Sequence, residues 1–377
     1  MGVLNLLTDL VSIKSEFPEE GEVARFIEHH LKQNGFSTSR QYLAKYRFNI
    51  IASRGKSPKV IFYGHMDTVP LYGKWKTDPF VLTKNGDRLA GLGSEDMKGG
   101  IAAIIEAAET SDHPSKLIFC VDEENISSGA WHAVKHAKQW FSEPKVIISG
   151  ESGTSEKSSG GVSNPTLGRR GRCVVSISIK GKSAHGAMPE RGRSAIDTAA
   201  VLVTGLNRMR LRNHAKLGRE SIFVRHIFSS STSLSVPETA ELALDVHLVP
   251  PSTNAEMLTR VNSLVKKLRH TGSIPGGVSI EVALEKRETP YLEPYVTSDK
   301  IPAVSSVIST IKRNFSGMSI NYAKSVADEN VFAKATGKPV IAIGPMGRNG
   351  HASNEWVSER SLHQSVSLYS EILKTVS

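Results

Sequence analysis

Acidic and imidazole side chains come directly after three predicted strands of this sequence. In chain order they are His65 with Asp67, the acids 122–124, and Glu151. Because open α/β sheets place their sites at the carboxyl ends of parallel strands, we expect these side chains to lie near one another. Imidazole nitrogens and carboxylate oxygens are ligands that suit zinc-like cations, so the pattern indicates a metal centre.

Two further segments contain side chains of the same kinds. One is GLGSEDMKGG, in which Asp96 precedes a predicted helix, and the other is GHASNE, which contains His351. Glycines at such a junction allow close backbone approach, and a carboxylate there can bridge two cations. The alternative is a glycine-rich turn with an acidic helix cap. The first segment lacks the Lys-Ser/Thr ending of a phosphate loop and the glycine spacing of dinucleotide folds, which disfavours nucleotide binding.

The three adjacent acids at 122–124 would repel one another unless a cation were bound beside them. With a cation in place, a neighbouring free carboxylate is available as a base. The alternative is a solvated acidic loop. Asp67, two residues after His65, is positioned to accept a hydrogen bond from the second ring nitrogen of that histidine and so fix its tautomer. The alternative there is a surface histidine near an acid in a turn.

The elements that must position these residues alternate between helix and strand. Two helices are predicted in the first 35 residues. The elements that follow are, in order, strands 49–53 and 59–63, helix 98–109, strand 117–121, helix 128–138 and strand 145–149. This alternation predicts a mostly parallel sheet covered by helices.

After Gly171 the pattern changes. The predicted elements become strand 174–180, helix 195–208, strand 242–249, helix 256–269 and strand 278–284. This succession is typical of a small α+β domain with an open antiparallel sheet. Helix and strand patterns resume after a proline-containing linker at 289–294. We therefore predict an α/β domain made of residues 1–172 and 289–377, interrupted by an inserted α+β domain at 173–288.

The composition limits the possible classes of protein. The chain has 377 residues, of which 39% are hydrophobic and 22% charged, as in a soluble globular protein. Its apolar runs are far too short to span a bilayer, so no membrane partner is predicted. The net charge of +10 is dispersed, and no aromatic residues interleave with its basic clusters, which favours solvated faces over a nucleic-acid partner. The alternative is attraction of an anionic substrate or an acidic partner. Two cysteines and the lack of a visible secretory signal favour a cytoplasmic location.

Taken together, the segments GHMDTVP, GLGSEDMKGG, DEE, GES and GHASNE resemble, in this order, the M20 family of metallopeptidases and deacylases. The family includes acetylornithine deacetylase, succinyl-diaminopimelate desuccinylase, aminoacylases and glutamate carboxypeptidase. The resemblance covers nearly the whole chain, and GKSAHGAMPERGRSAI matches the family's lid domain. It implies a di-metal hydrolase domain with an inserted ferredoxin-like domain that acts as a lid and joins a homodimer.

The resemblance also implies the ligands of two zinc ions, for which cobalt or manganese would be possible substitutes. One ion would be held by His65 and Glu151, the other by Glu124 and His351, and both by Asp96.

Catalytic roles are implied in the same way. Glu123 would be the general base for a metal-bridged water, and Asp67 would orient His65. A cis peptide bond would join Asp96 to Met97. His185, supplied by the second subunit, would help to stabilise the oxyanion.

Substrate recognition is where the sequence departs from the family. Arg169 and Arg170 match arginines near the substrate in desuccinylase-like members and would bind a carboxylate, the alternative being a solvated hinge. Leu234 stands where the family often has asparagine, and His247 stands where it favours a substrate-gripping arginine. These changes leave the metal ligands intact.

We therefore predict a metal-dependent amidohydrolase that cleaves the amide bond of N-acyl amino acids, such as an N-acetyl or N-succinyl diamino acid. The alternative is a metallocarboxypeptidase or dipeptidase with the same machinery. A metal-dependent binding protein without catalysis is a third hypothesis, against which the presence of Glu123 argues.

Overall fold

The computed structural model describes residues 2–152, 161–229 and 234–376. The chain forms two compact units. The first consists of the residues up to Arg169 together with those from Val296 onward, and the second is Arg170–Tyr295. The second unit is therefore an insertion in the sequence of the first.

Helices of nine or more residues cover the sheet of the first unit. They are Val3–Ser12, Gly21–Gln33, Gly99–Thr110, Ser128–His136, Pro302–Asn314, Asp328–Thr336 and Glu359–Thr375. Each of them is amphipathic or largely buried, and Leu7, Leu10 and Val11 of the first are fully buried in one stripe. In the part of the chain that the structure describes, no helix is both long and apolar enough to cross a bilayer.

The strands of the first unit form a long sheet and a small one. They are Ser37–Ala44, Arg47–Arg54, Val60–His65, Thr83–Asn85, Arg88–Ala90, Ser115–Cys120, Val146–Ser149, Thr166–Arg169, Asn321–Ala323, Val340–Ala342, Gly347–Arg348 and Trp356–Ser358. The two-residue strand Tyr295–Val296 leads the chain back into this unit.

The centre of the long sheet is parallel. Val60–His65 lies between Ser115–Cys120 and Val146–Ser149, and the last of these pairs with Val340–Ala342. Antiparallel strands Ser37–Ala44 and Arg47–Arg54 extend one edge. The predicted α/β architecture with a mostly parallel central sheet is confirmed.

Close backbone packing positions the helix that begins just after Asp96. A Cβ atom on Gly100 would lie 2.2 Å from the carbonyl oxygen of Gly150, so only glycine lets this helix approach the end of strand Val146–Ser149. The helix then buries every residue of Ile101–Ile105. It also packs against Glu359–Thr375.

The small sheet joins two distant parts of the chain. Its strand order is Gly347–Arg348, Trp356–Ser358, Arg88–Ala90, Thr83–Asn85. Ala90 faces Trp356 in the register, and the N–H of Gly91 donates to the carbonyl of Glu355 at 3.1 Å. The pairing places the segment before Asp96 beside the segment after His351.

The second unit is a four-stranded antiparallel sheet with two helices. Its elements are strand Gly171–Lys180, helix Ala195–Asn207, strands Ser221–Phe228 and Thr239–Leu248, helix Asn254–His270 and strand Ser279–Leu284. Ser221–Phe228 lies at one edge of this sheet and Ser279–Leu284 at the other. Between them, Thr239–Leu248 lies beside Ser221–Phe228, and Gly171–Lys180 lies beside Ser279–Leu284. This β-α-β-β-α-β arrangement is ferredoxin-like.

Several strands were not predicted, and the two longest of them, Ser37–Ala44 and Ser221–Phe228, lie at sheet edges. Ser37–Ala44 is mostly exposed and polar, so it lacks an apolar run. Ser221–Phe228 contains Arg225 and His226, and a bulge between Val224 and His226 breaks its alternation. Neither strand has the period-2 pattern on which the prediction depended.

Candidate metal centre and active site

Three central strands end at the same edge of the long sheet. In the register, His65 faces Cys120 on one neighbouring strand and Tyr63 faces Ser149 on the other. Every residue of Val60–His65 is buried, so the backbone that leads to the site is rigidly packed. The acids that follow the two neighbouring strands, Glu123 with Glu124 and Glu151, are thereby brought beside His65.

Asp96 reaches this edge from a separate loop. The loop turns at Gly93, which has a φ of 74°, a left-handed conformation that favours glycine. A cis peptide bond joins Asp96 to Met97, which confirms that prediction. The carboxylate of Glu355 accepts the backbone N–H groups of Gly93, Glu95 and Asp96 at 2.8, 2.8 and 2.9 Å. Glu355 therefore fixes the backbone that presents Asp96.

The carboxylate of Asp96 lies between two imidazoles. Its Oδ1 is 2.9 Å from Nε2 of His65, and its Oδ2 is 3.0 Å from Nε2 of His351. Each oxygen thus faces a different histidine, as a bridging ligand requires.

The remaining acids complete one group around each histidine. Oε1 of Glu151 is 3.3 Å from Nε2 of His65, and Oε2 of Glu124 is 3.0 Å from Nε2 of His351. Within His65–Asp96–Glu151 and within Asp96–Glu124–His351, the ligand atoms all lie within 4.8 Å of one another.

The donor set fits two divalent cations. Imidazole nitrogens with carboxylate oxygens suit zinc and related ions. Oε1 of Glu124 is buried and has no hydrogen-bond partner among the described residues, which a cation would provide.

The electrostatics of these groups point the same way. Burial, and next the charge of Asp96, raise the pKa of Glu124 to about 7 and also raise the pKa of Glu151. Hydrogen bonds to Asp96 and Glu124 raise the pKa of His351 to about 11. Burial alone would lower the pKa of His65, but its hydrogen bonds to acids raise it well above the usual value. Without cations, protons bound to these acids and histidines must therefore offset the negative charge of the clustered carboxylates. Bound cations would neutralise the same charge.

Asp67 contacts both the ring of His65 and the backbone of the acidic segment 123–124. The ring Nδ1 of His65 contacts the backbone carbonyl oxygen of Asp67 at 3.1 Å, whereas the carboxylate oxygen Oδ1 is 3.6 Å away. We predicted that the carboxylate would take this hydrogen bond. Instead it accepts the backbone N–H groups of Glu123 at 3.2 Å and Glu124 at 2.9 Å. The strand ends at His65, so strand alternation no longer directs the side chain of Asp67 towards the ring.

Glu123 lies beside the ligand groups. Its carboxylate belongs to a third group, with His65 and Glu124, whose atoms also lie within 4.8 Å of one another. Burial raises the pKa of Glu123 well above its usual value; His65 opposes this shift and Glu124 adds to it. A carboxyl group with a raised pKa is a stronger base towards water once it is ionised.

His351 is the most open of these residues. Its side chain is 56% exposed, whereas that of His65 is fully buried. The loop around it turns through left-handed conformations at Asn349, His351 and Asn354. The side chain of Asn354 accepts the N–H of Lys76 at 2.9 Å and so ties this loop to another part of the first unit.

The predicted substrate-binding residues lie in different surroundings. Arg169, in the first unit, is buried and contacts Glu329. In the second unit, Arg170 donates from Nε to the carbonyl of Leu217 at 3.0 Å. His247 is half-buried, with Nδ1 3.7 Å from Asp245, and burial lowers its pKa.

His185 also belongs to the second unit and is exposed. Its Nδ1 accepts the backbone N–H of Ala187 at 3.1 Å. In the neutral ring, Nε2 then carries the hydrogen and can donate a hydrogen bond to another group.

Several residues that support the site had no role in the sequence analysis. Glu355 was part of a motif, but nothing local distinguished it from a surface acid. Asp328 and Glu329 are the first two residues of a helix, where acids are common because the helix dipole stabilises negative charge there. Both are fully buried, and Asp328 accepts a hydrogen bond from the hydroxyl of Tyr63 at 2.8 Å. Asp328 thus supports the strand leading to His65, and Glu329 instead contacts Arg169. Only their burial distinguishes them from surface acids.

A family model described as peptidase family M20/M25/M40 matches residues 61–375 of the chain. Among curated proteins, a succinyl-diaminopimelate desuccinylase from Colwellia psychrerythraea is 26% identical, over 99% of this chain and 95% of that protein. An acetylornithine deacetylase from Proteus mirabilis is 28% identical, over 68% of this chain and 67% of that protein.

Solved structures share the fold. The aminopeptidase PepT from Bacillus cereus matches with a TM-score of 0.79 and 19% identity, over 99% of this chain and 98% of that one. A Bacillus subtilis protein described as a dinuclear metal-binding peptidase of the M20 family matches with a TM-score of 0.74 and 15% identity, over 99% and 98%.

Proposed function

The chain belongs to peptidase family M20/M25/M40, and from this premise we propose that it is a two-metal amidohydrolase that releases amino acids from their N-acyl derivatives. The relatives named desuccinylase and deacetylase support this substrate class. The observation that carries the proposal is the position of Asp96, whose two oxygens face His65 and His351 separately.

Five side chains would hold the metal ions. His65 and Glu151 would bind the first, Glu124 and His351 the second, and Asp96 both. We propose zinc, with cobalt or manganese as substitutes, because the ligands are imidazoles and carboxylates. When bound, the cations would act as Lewis acids on the scissile carbonyl and lower the pKa of water at the site.

Glu123 would be the general base. It would take a proton from the attacking water and deliver it to the leaving amine nitrogen. Asp67 holds the backbone N–H groups of both Glu123 and Glu124, so it would keep the base in a fixed position relative to the ligand beside it.

The second unit would complete the site in a homodimer. We propose that it acts as a lid and that His185 from a second copy of the chain donates a hydrogen bond to the oxyanion. Its exposure and the protonated Nε2 suit this role. Arg170 and His247 would contact the substrate; with a lowered pKa, His247 would donate a hydrogen bond rather than form an ion pair. The buried, unpaired cysteines Cys120 and Cys173 are consistent with the cytoplasmic location that we propose.

A metallocarboxypeptidase or dipeptidase remains the second candidate, because the same side chains would hydrolyse a peptide bond and solved peptidases share the fold. The experiment is to supply zinc-loaded protein with N-acetyl and N-succinyl amino acids, including diamino acids, and with dipeptides. Release of free amine measures hydrolysis, and elemental analysis measures bound metal. We expect two metal ions per chain and cleavage of acyl amino acids. Cleavage of peptides alone would favour the second candidate, and a chain that binds no metal would refute both.

A further inference from the structure

Arg169 ends the strand Thr166–Arg169 and is only 5% exposed. Its Nε lies 3.2 Å from Oε2 of Glu329, and its Nη2 lies 3.3 Å from Oε1 of the same carboxylate. Its Nη1 donates to the hydroxyl of Ser325 at 3.0 Å. The guanidinium is therefore held from two sides by residues of its own unit.

The same guanidinium reaches the metal centre. Nη2 of Arg169 is 3.9 Å from Oε2 of Glu151, whereas Oε1 of Glu151 lies 3.3 Å from Nε2 of His65. The two oxygens of Glu151 thus face different partners, one the guanidinium and the other the ligand group.

The partner of Arg169 is itself fixed. Glu329 is the second residue of helix Asp328–Thr336 and is fully buried. A buried carboxylate at the first turn of a helix is stabilised by the helix dipole and by a pairing cation. The opposite charges of Glu329 and Arg169 offset each other. The guanidinium therefore attracts the carboxylate of Glu151 less strongly than an unpaired cation would, and Glu151 stays available to a metal ion.

We propose that Arg169 is a positioning residue for Glu151 rather than a substrate-binding residue. A bidentate grip on a substrate carboxylate needs donors that face the substrate, and three nitrogens of Arg169 contact Ser325 and Glu329 instead. Arg169, anchored by Glu329, keeps Oε2 of Glu151 turned away and Oε1 directed towards the first metal ion. Groups that orient metal ligands in this way are worth roughly tenfold to hundredfold in metal affinity.

This inference rests on the proposed two-metal function. The test uses the zinc-loaded 377-residue chain, dialysed against graded EDTA, with retained zinc per chain measured by elemental analysis. The variants are Glu329→Gln, which removes the carboxylate that anchors the guanidinium, and Arg169→Lys, which keeps the charge but loses the planar fork. Both should lose one of the two zinc ions at an EDTA concentration at least about tenfold lower than the wild type does, and should keep the other ion. The KM for the acyl amino acid should not change.

Matched controls are Glu28→Gln and Arg40→Lys, the same changes at an ion pair of the same unit remote from the ligand groups in sequence. They should retain both ions as the wild type does. Circular dichroism checks the fold, and if Glu329→Gln does not fold, Arg169→Lys decides. Unchanged zinc retention in the folded variants, or a raised KM in Arg169→Lys with both ions retained, would overturn the inference. A wild-type chain that holds no zinc would instead refute the proposed function.

Discussion

Oε1 of Glu355 accepts the backbone N–H of Asp96 at 2.9 Å, across 259 residues of sequence. Glu355 is 1% exposed, and its two carboxylate oxygens together accept three N–H groups of the loop that presents Asp96. The orientation of Asp96 therefore depends on an acid that lies outside the candidate ligand groups.

Replacing Glu355 with glutamine should weaken both the fold and the metal centre. The amide NH₂ cannot accept, so at least one of the N–H groups of Gly93, Glu95 and Asp96 would lose its partner, at a cost of about 1–3 kcal/mol. Metal affinity should fall roughly tenfold or more. Urea denaturation and elemental analysis measure the two effects. Glu371→Gln, at an exposed ion pair, is the control; equal behaviour of the two variants would contradict the role of Glu355.

Glu123→Gln should separate catalysis from metal binding. We expect zinc to be retained, because the five proposed ligands are untouched, and the turnover number to fall by about 10²–10⁴ because the base is lost. The exposed Glu19→Gln is the control. Unchanged turnover in Glu123→Gln would remove the assigned base. A wild type that binds zinc but hydrolyses no amide would support a binding protein.

Arg47 should contribute more to stability than an exposed cation. Its guanidinium pairs with the fully buried Glu20 at 2.7 Å and lies 3.7 Å from the buried Asp122. Arg47→Ala would leave these acids uncompensated, and we expect the free energy of unfolding to fall by about 3 kcal/mol. Lys374→Ala, at the exposed pair with Glu371, should cost about 1 kcal/mol or less. Similar losses in urea denaturation would show that the buried pair is not stabilising.

The cysteines should resist a thiol reagent in the folded protein. Burial, and next the charge of Glu293, raise the pKa of Cys173 to about 12, and burial also raises the pKa of Cys120 well above its usual value. At pH 8 the thiolate fraction of Cys173 is then about one in ten thousand. Ellman's reagent should label both thiols in denaturant and neither in the native protein. Rapid labelling of native protein would contradict this.

The same shifts give a sign for the pH dependence of stability. Unfolded thiols ionise at their usual pKa, near 9, whereas the folded thiols keep their protons. The unfolded state therefore binds fewer protons above this pH, and the contribution of the thiols to stability is lost as the pH rises from about 9 towards 12. Urea denaturation at pH 8 and pH 10 should show a larger loss in the wild type than in a Cys173→Ala variant.

The sequence was informative where acidic and imidazole residues stand at the carboxyl ends of predicted parallel strands. His65 ends a buried strand, Glu124 and Glu151 follow two others, and parallel strands end at the same edge of a sheet, so their proximity is predictable from sequence. The motif order predicted the family and the cis peptide bond at Asp96. Edge strands such as Ser37–Ala44 were missed because an exposed strand needs no apolar alternation.

By itself, the sequence indicated which acidic and imidazole side chains would come together, because residue type and position after a strand are local properties. Only the tertiary structure decided how those side chains are held. Glu355 accepts N–H groups of the loop that contains Asp96, and Glu329 pairs with Arg169. In the sequence neither acid can be distinguished from a surface acid, because both are buried in the interior only by the tertiary fold. There, desolvation makes every unpaired charge costly, and each acid must find a specific partner. That requirement depends on distant segments, so no local pattern could specify it.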